Sequence, residues 1–164
     1  MSESYVEVMV KKEGTLMGKL LNLLVTFLII FSLVLFVMSL NPIVLIATIV
    51  FGVAMYFVRL HTNLEFEYLY VDKELTIDKI MAKTKRKKVT KISMERLEVI
   101  APIGSHHLDE YKNRLDKTQD YSSGKANAKR YLVVYEGQKS VIIEPGEDML
   151  RMIKNIAPRK VFND

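Results

Sequence analysis

From Leu20 to Val58 the chain carries no charged residue. A helix needs ~20 apolar residues to cross the hydrocarbon core of a bilayer. Leu20–Leu40 meets that length at about 1.5 Å of rise per residue, and its only polar residues are Asn22, Thr26, Ser32 and Ser39. Asn41-Pro42 then interrupts the run. Asn is a favoured helix N-cap, Pro is favoured at the first helical position, and the residue before Pro is pushed out of helical geometry. The pattern predicts a helical hairpin over 20–60, with helices at 20–40 and 42–58. The second helix is short, and Tyr56, Phe57 and Arg59 extend it by sitting at the interface or snorkelling towards it.

Three other readings are weaker. A signal peptide has a shorter apolar core followed by a small-residue cleavage site. A buried soluble hairpin would need more polar chain to wrap it than follows here. A single bent helix is opposed by Asn41-Pro42. Thr48 and Gly52 have the small-xxx-small spacing that lets helices approach closely.

The charges flanking the run predict its orientation. Lys11, Lys12 and Lys19 precede it and Arg59 follows it, whereas the turn Ser39-Leu40-Asn41-Pro42 is uncharged. By the positive-inside rule both termini face the cytoplasm, giving a two-helix, multi-pass protein of the cell membrane. Residues 1–19 form a short N-terminal cytoplasmic segment with three basic and three acidic residues, so the chain's net charge of +5 belongs to the part after the helices. With no cysteine, disulfides, thiolate metal sites and a cysteine nucleophile are excluded.

After the helices the pattern changes to short alternating runs. Leu64, Phe66, Tyr68 and Tyr70 alternate with Glu65 and Glu67, as in a half-buried strand. Asp72-Lys73 is a turn, Leu75–Ile80 a second strand, Lys85–Ser93 a third and Arg96–Ala101 a fourth, ended by Pro102. Residues 103–129 form a polar insertion. Within it His106–Lys117 is expected as a short helix with Leu108, Tyr111 and Leu115 on one face, and Tyr121-Ser122-Ser123-Gly124 as loop. Arg130–Tyr135 and Ser140–Glu144 make a hairpin around Glu136-Gly137-Gln138. A helix of about ten residues starts near Pro145, with Glu147 and Asp148 suited to its N-terminal dipole and Lys154 to its end. Met149, Leu150, Met152, Ile153 and Ile156 supply its apolar stripe. Tyr5–Val10 alternates only briefly and reads either as a strand of the soluble domain or as an interfacial segment.

The run Phe66–Ile80, the basic strand after it, and the junction Ile142-Ile143-Glu144-Pro145-Gly146-Glu147-Asp148 resemble the core of bacterial pleckstrin-homology-like domains. The resemblance implies an α+β membrane protein: a transmembrane hairpin followed, over 61–164, by a split β-barrel capped by a C-terminal helix. More narrowly, Tyr5-Val6-Glu7, the two-helix anchor, Ala101-Pro102-Ile103-Gly104-Ser105 and Asp120-Tyr121-Ser122-Ser123-Gly124 are similar to a family of small membrane proteins from Gram-positive anaerobic bacteria. That second resemblance brings no activity with it.

Between Lys79 and Lys91 stand Lys79, Lys83, Lys85, Arg86, Lys87, Lys88 and Lys91, with no acid among them. Near an anionic leaflet each such charge is worth about 1 kcal/mol within a Debye length of about 8–10 Å. Lys83, Lys85, Arg86, Lys87, Lys88 and Lys91 are therefore candidates for binding a lipid surface or a protein partner. The plain alternative is a solvated strand whose charges prevent edge-to-edge aggregation. A basic run alone is a poor signal for nucleic acid.

His106, His107 and Asp109 are residue types that hold metal ions, but neighbouring histidines are expected to point apart, and the third histidine, His61, lies at the membrane. Ser122 and Ser123 lack nucleophile-elbow spacing, and no phosphate-binding glycine loop ends in Lys-Ser/Thr. No carboxylate pair stands out, and no charge inside the helices marks a transport path. The expectation is a non-enzymatic, cofactor-free adaptor: a membrane-anchored, cytoplasm-facing interaction or scaffold module. The alternative is a sensor of anionic lipid headgroups acting through strand 79–91.

Overall fold

The computed structural model describes residues 5–137 and 139–163, and for 112–117 the backbone only. Gln138 of the expected turn and the Leu115 side chain of the expected apolar face lie outside that description. The chain forms two units. One comprises Gly14–Leu64 with Met81–Lys85, and the other holds the remaining described residues.

The first unit is built on α1 (Leu16–Ser39) and α2 (Pro42–Thr62), both long and apolar enough to cross a membrane. The Thr15 side chain caps α1 by accepting from the Gly18 amide at 3.1 Å. Leu40, with a left-handed φ of 47°, ends it. Asn41 Oδ1 then accepts from the Ile43 amide at 2.9 Å, and Pro42 opens α2. The break at Asn41-Pro42 is as expected, but both helices run further at their basal ends, past Lys19 and past Arg59 and His61. The uncharged stretch reports the apolar length, not the helix length.

Two polar pairs join the helices. Asn22 Nδ2 donates to Thr62 Oγ1 at 3.0 Å, and the hydroxyls of Thr48 and buried Ser32 lie 3.0 Å apart. Gly52 does not take part in the close approach expected of it: a Cβ there would meet nothing within 4 Å. Gly18 does, since a Cβ on it would lie 3.1 Å from Thr62 Cγ2.

The second unit contains two four-stranded sheets. The first has the order β1-β2-β3-β4, from β1 (Val6–Lys11), β2 (Leu64–Val71), β3 (Glu74–Met81) and β4 (Lys85–Ser93). The second has the order β5-β7-β8-β6, from β5 (Leu97–Pro102), β6 (Gln119–Asp120), β7 (Tyr131–Tyr135) and β8 (Lys139–Ile143). The sheets do not close on one another by strand pairing, so the expected barrel is open. The helix α3 (Glu147–Ile156) follows.

The N-terminal stretch is a strand. It pairs antiparallel with β2 from Val6↔Tyr70 to Lys11↔Glu65. The sheet unit therefore draws a strand from before the helices, and the hairpin is inserted between two neighbouring strands. Phe66, Tyr68, Tyr70, Leu75 and Ile77 point into the main core, where Met149, Leu150 and Ile153 of α3 cover them. The amphipathic spacing of α3 thus finds the sheet it requires.

The 103–129 insertion is more ordered than its polarity suggests. His106–Lys117 is a 3-10 helix, and Leu108 joins Val99, Ala101, Leu132 and Val134 in a second apolar cluster. Tyr121-Ser122-Ser123 is loop, yet buried. The Tyr68 hydroxyl donates to Tyr121 O, the Glu13 amide to Ser123 O at 2.7 Å, and the Ser123 amide to Glu144 Oε2 at 3.1 Å. These bonds satisfy polar groups that burial would otherwise leave costly.

Candidate functional site

Beyond Lys79 on β3, the basic run divides between the turn joining β3 to β4 and the outer strand β4 itself. In the turn Ala82 and Lys83 both have positive φ, 48° and 58°. A tight turn of this hand favours Gly or Asn, so two other residues there hold local strain. The Ala82 amide donates to Asn63 O at 2.8 Å, just past the end of α2. Lys83 and Lys85 thus belong to the helical unit, and the cations from Arg86 to Lys91 to the sheet unit.

Along β4, Lys85, Arg86, Lys87 and Lys88 are all exposed, although strand geometry turns alternate side chains to opposite faces. An end strand of the sheet with cations on both faces resists pairing with another copy of itself. Two of the six candidates are engaged within the domain. Arg86 donates to Glu67 Oε1 at 2.8 Å and reaches Asp78 Oδ2 at 4.0 Å, while Lys91 pairs with Glu74 at 2.6 Å. Lys83, Lys85, Lys87 and Lys88 carry no ion pair among the described residues.

Glu67 is only 5% exposed, and burial foremost raises its carboxyl above the usual range. Arg86 opposes that shift, and nearby Glu7 adds to it. Alternation in the sequence put Glu67 on a solvent face. The structure covers that face with Arg86, a partner that no local pattern announces.

The histidines do not point apart. The His106 and His107 ring centroids lie 3.9 Å apart, and His107 stacks on Phe162 at 3.6 Å. Among the described residues no group of three or more His, Cys, Asp and Glu side chains could hold a metal ion.

The edge strand, the two sheets and the covering C-terminal helix agree with what the family comparison returns. Residues 2–163 match the family described as bacterial PH-like domain (DUF6106). The chain belongs to this family. The match spans the two helices as well as the sheets, so this PH-like chain carries its apolar hairpin inside the matched region. No curated protein and no solved structure matches it. Membership of the bacterial PH-like domain family suggests a module that contacts protein or lipid.

Proposed function

We propose that the chain is a membrane-anchored interaction module whose sheet domain faces the cytoplasm. One observation carries this reading: α1 and α2 are inserted between β1 and β2, two paired strands of one sheet. A hairpin that leaves and re-enters the same sheet must bring both legs back to one side of a bilayer. The connections are short, 12–15 on one side and Asn63 alone on the other. Lys11, Lys12, Lys19 and Arg59 at the base favour the cytoplasmic side. Protease added outside intact cells should leave the sheet domain whole. Digestion of that domain from outside would overturn the orientation.

A second reading, attraction to anionic headgroups, is favoured by Lys83, Lys85, Lys87 and Lys88, which are exposed and carry no ion pair among the described residues. It predicts that the full chain, reconstituted in vesicles, slows the lateral diffusion of anionic lipid in a salt-sensitive way. Replacing these four lysines with glutamine should remove that effect.

A further inference from the structure

A second cationic surface is built from residues outside the basic run. Two cavities of about 290 Å³ and 370 Å³ share Lys129, Tyr131 and Asn163 as walls, so they adjoin as one trough. Arg151 and Lys154 of α3 line the first, and Arg130 lines the second. Among the described residues the one acid on the walls is Glu147. Two largely buried side chains, Tyr131 and Leu150, at 6% and 4% exposure, form its floor.

We propose that this trough binds an extended acidic segment of a partner protein. Charge complementarity is the first argument. Lys129 and Lys154 are exposed and carry no ion pair among the described residues. The ion pairs of Arg130 with Asp120 and of Arg151 with Asp148 are long, at 3.7 and 3.9 Å, leaving guanidinium N–H groups for an incoming carboxylate. Arg151 and Lys154 are also three residues apart on one helix, where like charges repel and an anion between them relieves the repulsion.

Shape is the second argument. The cations are spread along two adjoining cavities rather than gathered at one point, which suits successive carboxylates on an extended chain better than one compact headgroup. Each cavity alone is at the small end for a discrete ligand. The edge of β5 is not free for strand addition, because Ile100 N already donates to Lys160 O at 2.7 Å and Phe162 N to Ile100 O at 2.9 Å. Recognition therefore runs through side chains: carboxylates to the rim cations and an apolar residue to the Tyr131–Leu150 floor.

The proposal rests on the reading of the chain as an interaction module, and its test is separate from the test of orientation. The full chain, held in nanodiscs of neutral lipid, is presented to a bead-displayed library of random dodecapeptides and, in parallel, to beads coated with an anionic bilayer. The expected result is enrichment of peptides rich in Asp and Glu with one large apolar residue. Their affinity should fall at least tenfold for Lys129→Glu/Lys154→Glu and be unchanged for Lys87→Glu/Lys88→Glu. The milder Lys129→Gln/Lys154→Gln should fall between, with circular dichroism confirming the fold of each variant. No enrichment, enrichment without acidic bias, or equal loss in both Glu variants would overturn the proposal. So would capture of the anionic bilayer that depends on Lys129 and Lys154, which would make a membrane the occupant. Protease accessibility from outside the cell, without loss of peptide binding, would instead count against the orientation alone.

Discussion

Lys11 and Glu65 face each other as antiparallel partners at the base of the first sheet, and both long helices lie between them in the sequence. The sheet therefore needs chain from both sides of the hairpin. Val10 of β1 is buried and Val6 and Val8 pack on the core, which at about 1.5–3 kcal/mol for a fully buried side chain suggests that β1 contributes about 3–5 kcal/mol. A chain starting at Leu64 should unfold at markedly lower urea concentration than one in which Asn-Gly joins Lys11 directly to Glu65, a link suited to a tight hairpin. Equal midpoints would show that β1 adds nothing.

Glu67 and Arg86 should respond unequally to mutation. Arg86 is more than half exposed and loses little when Glu67 goes, whereas Glu67 without Arg86 is a buried carboxylate with no ion-pair partner among the described residues. The folded-state pKa of Glu67 is raised. Its ionisation therefore costs stability above that pKa, and the cost is relieved as pH falls towards the unfolded value. Arg86→Gln should cost about 1–3 kcal/mol at neutral pH, with the deficit shrinking in mild acid. Glu67→Gln should stay within about 1 kcal/mol of the parent and flatten the pH dependence. Urea titrations at both pH values decide. A deficit for Arg86→Gln that grows on acidification would refute the assignment.

Two buried tyrosines on β2 make a matched test of hydrogen bonding. The Tyr68 hydroxyl donates to Tyr121 O and accepts from the Glu144 amide at 3.3 Å. The Tyr70 hydroxyl is buried with no partner among the described residues. Tyr68→Phe should destabilise by about 1–2 kcal/mol, because it orphans a buried carbonyl and amide. Tyr70→Phe should be neutral or stabilising by up to about 1 kcal/mol, because it removes an unsatisfied group. Denaturation midpoints of the two variants should move in opposite directions or differ clearly in size.

Much of this fold is visible locally. Asn41-Pro42 marks the helix break, β4 has the bounds its composition suggests, and the β7–β8 hairpin and α3 follow from turn residues and apolar spacing. What escapes the sequence is non-local. The brief alternation of Val6–Lys11 fits a strand or an interfacial segment until its partner beyond the helices is known. The two residues of β6, paired in parallel with β8, are too few to show a period. The same holds for the sites. Lys85–Lys88 announce themselves because they are contiguous, while the trough joins Lys129 and Arg130 to Arg151 and Lys154 only through the packing of α3.

The strained turns allow backbone strain and charge to be separated. Lys73 and Lys83 both have positive φ, 64° and 58°, and each follows another residue of positive φ. Glycine adopts that geometry without a Cβ penalty, so Lys73→Gly and Lys83→Gly should each stabilise by about 0.5–1 kcal/mol. The Ala82–Asn63 bond is between backbone groups and survives the second change. Lys83→Gly also removes a cation from the basic run. If that run attracts anionic lipid, Lys83→Gly should weaken the salt-sensitive slowing of lipid diffusion by about one charge's share, ~1 kcal/mol near the surface, while Lys73→Gly leaves it unchanged. Asparagine at 83 tolerates the left-handed region and lacks the charge, so Lys83→Asn should match Lys83→Gly in the lipid measurement. A glycine effect that asparagine does not reproduce would assign it to turn geometry and remove Lys83 from the lipid reading.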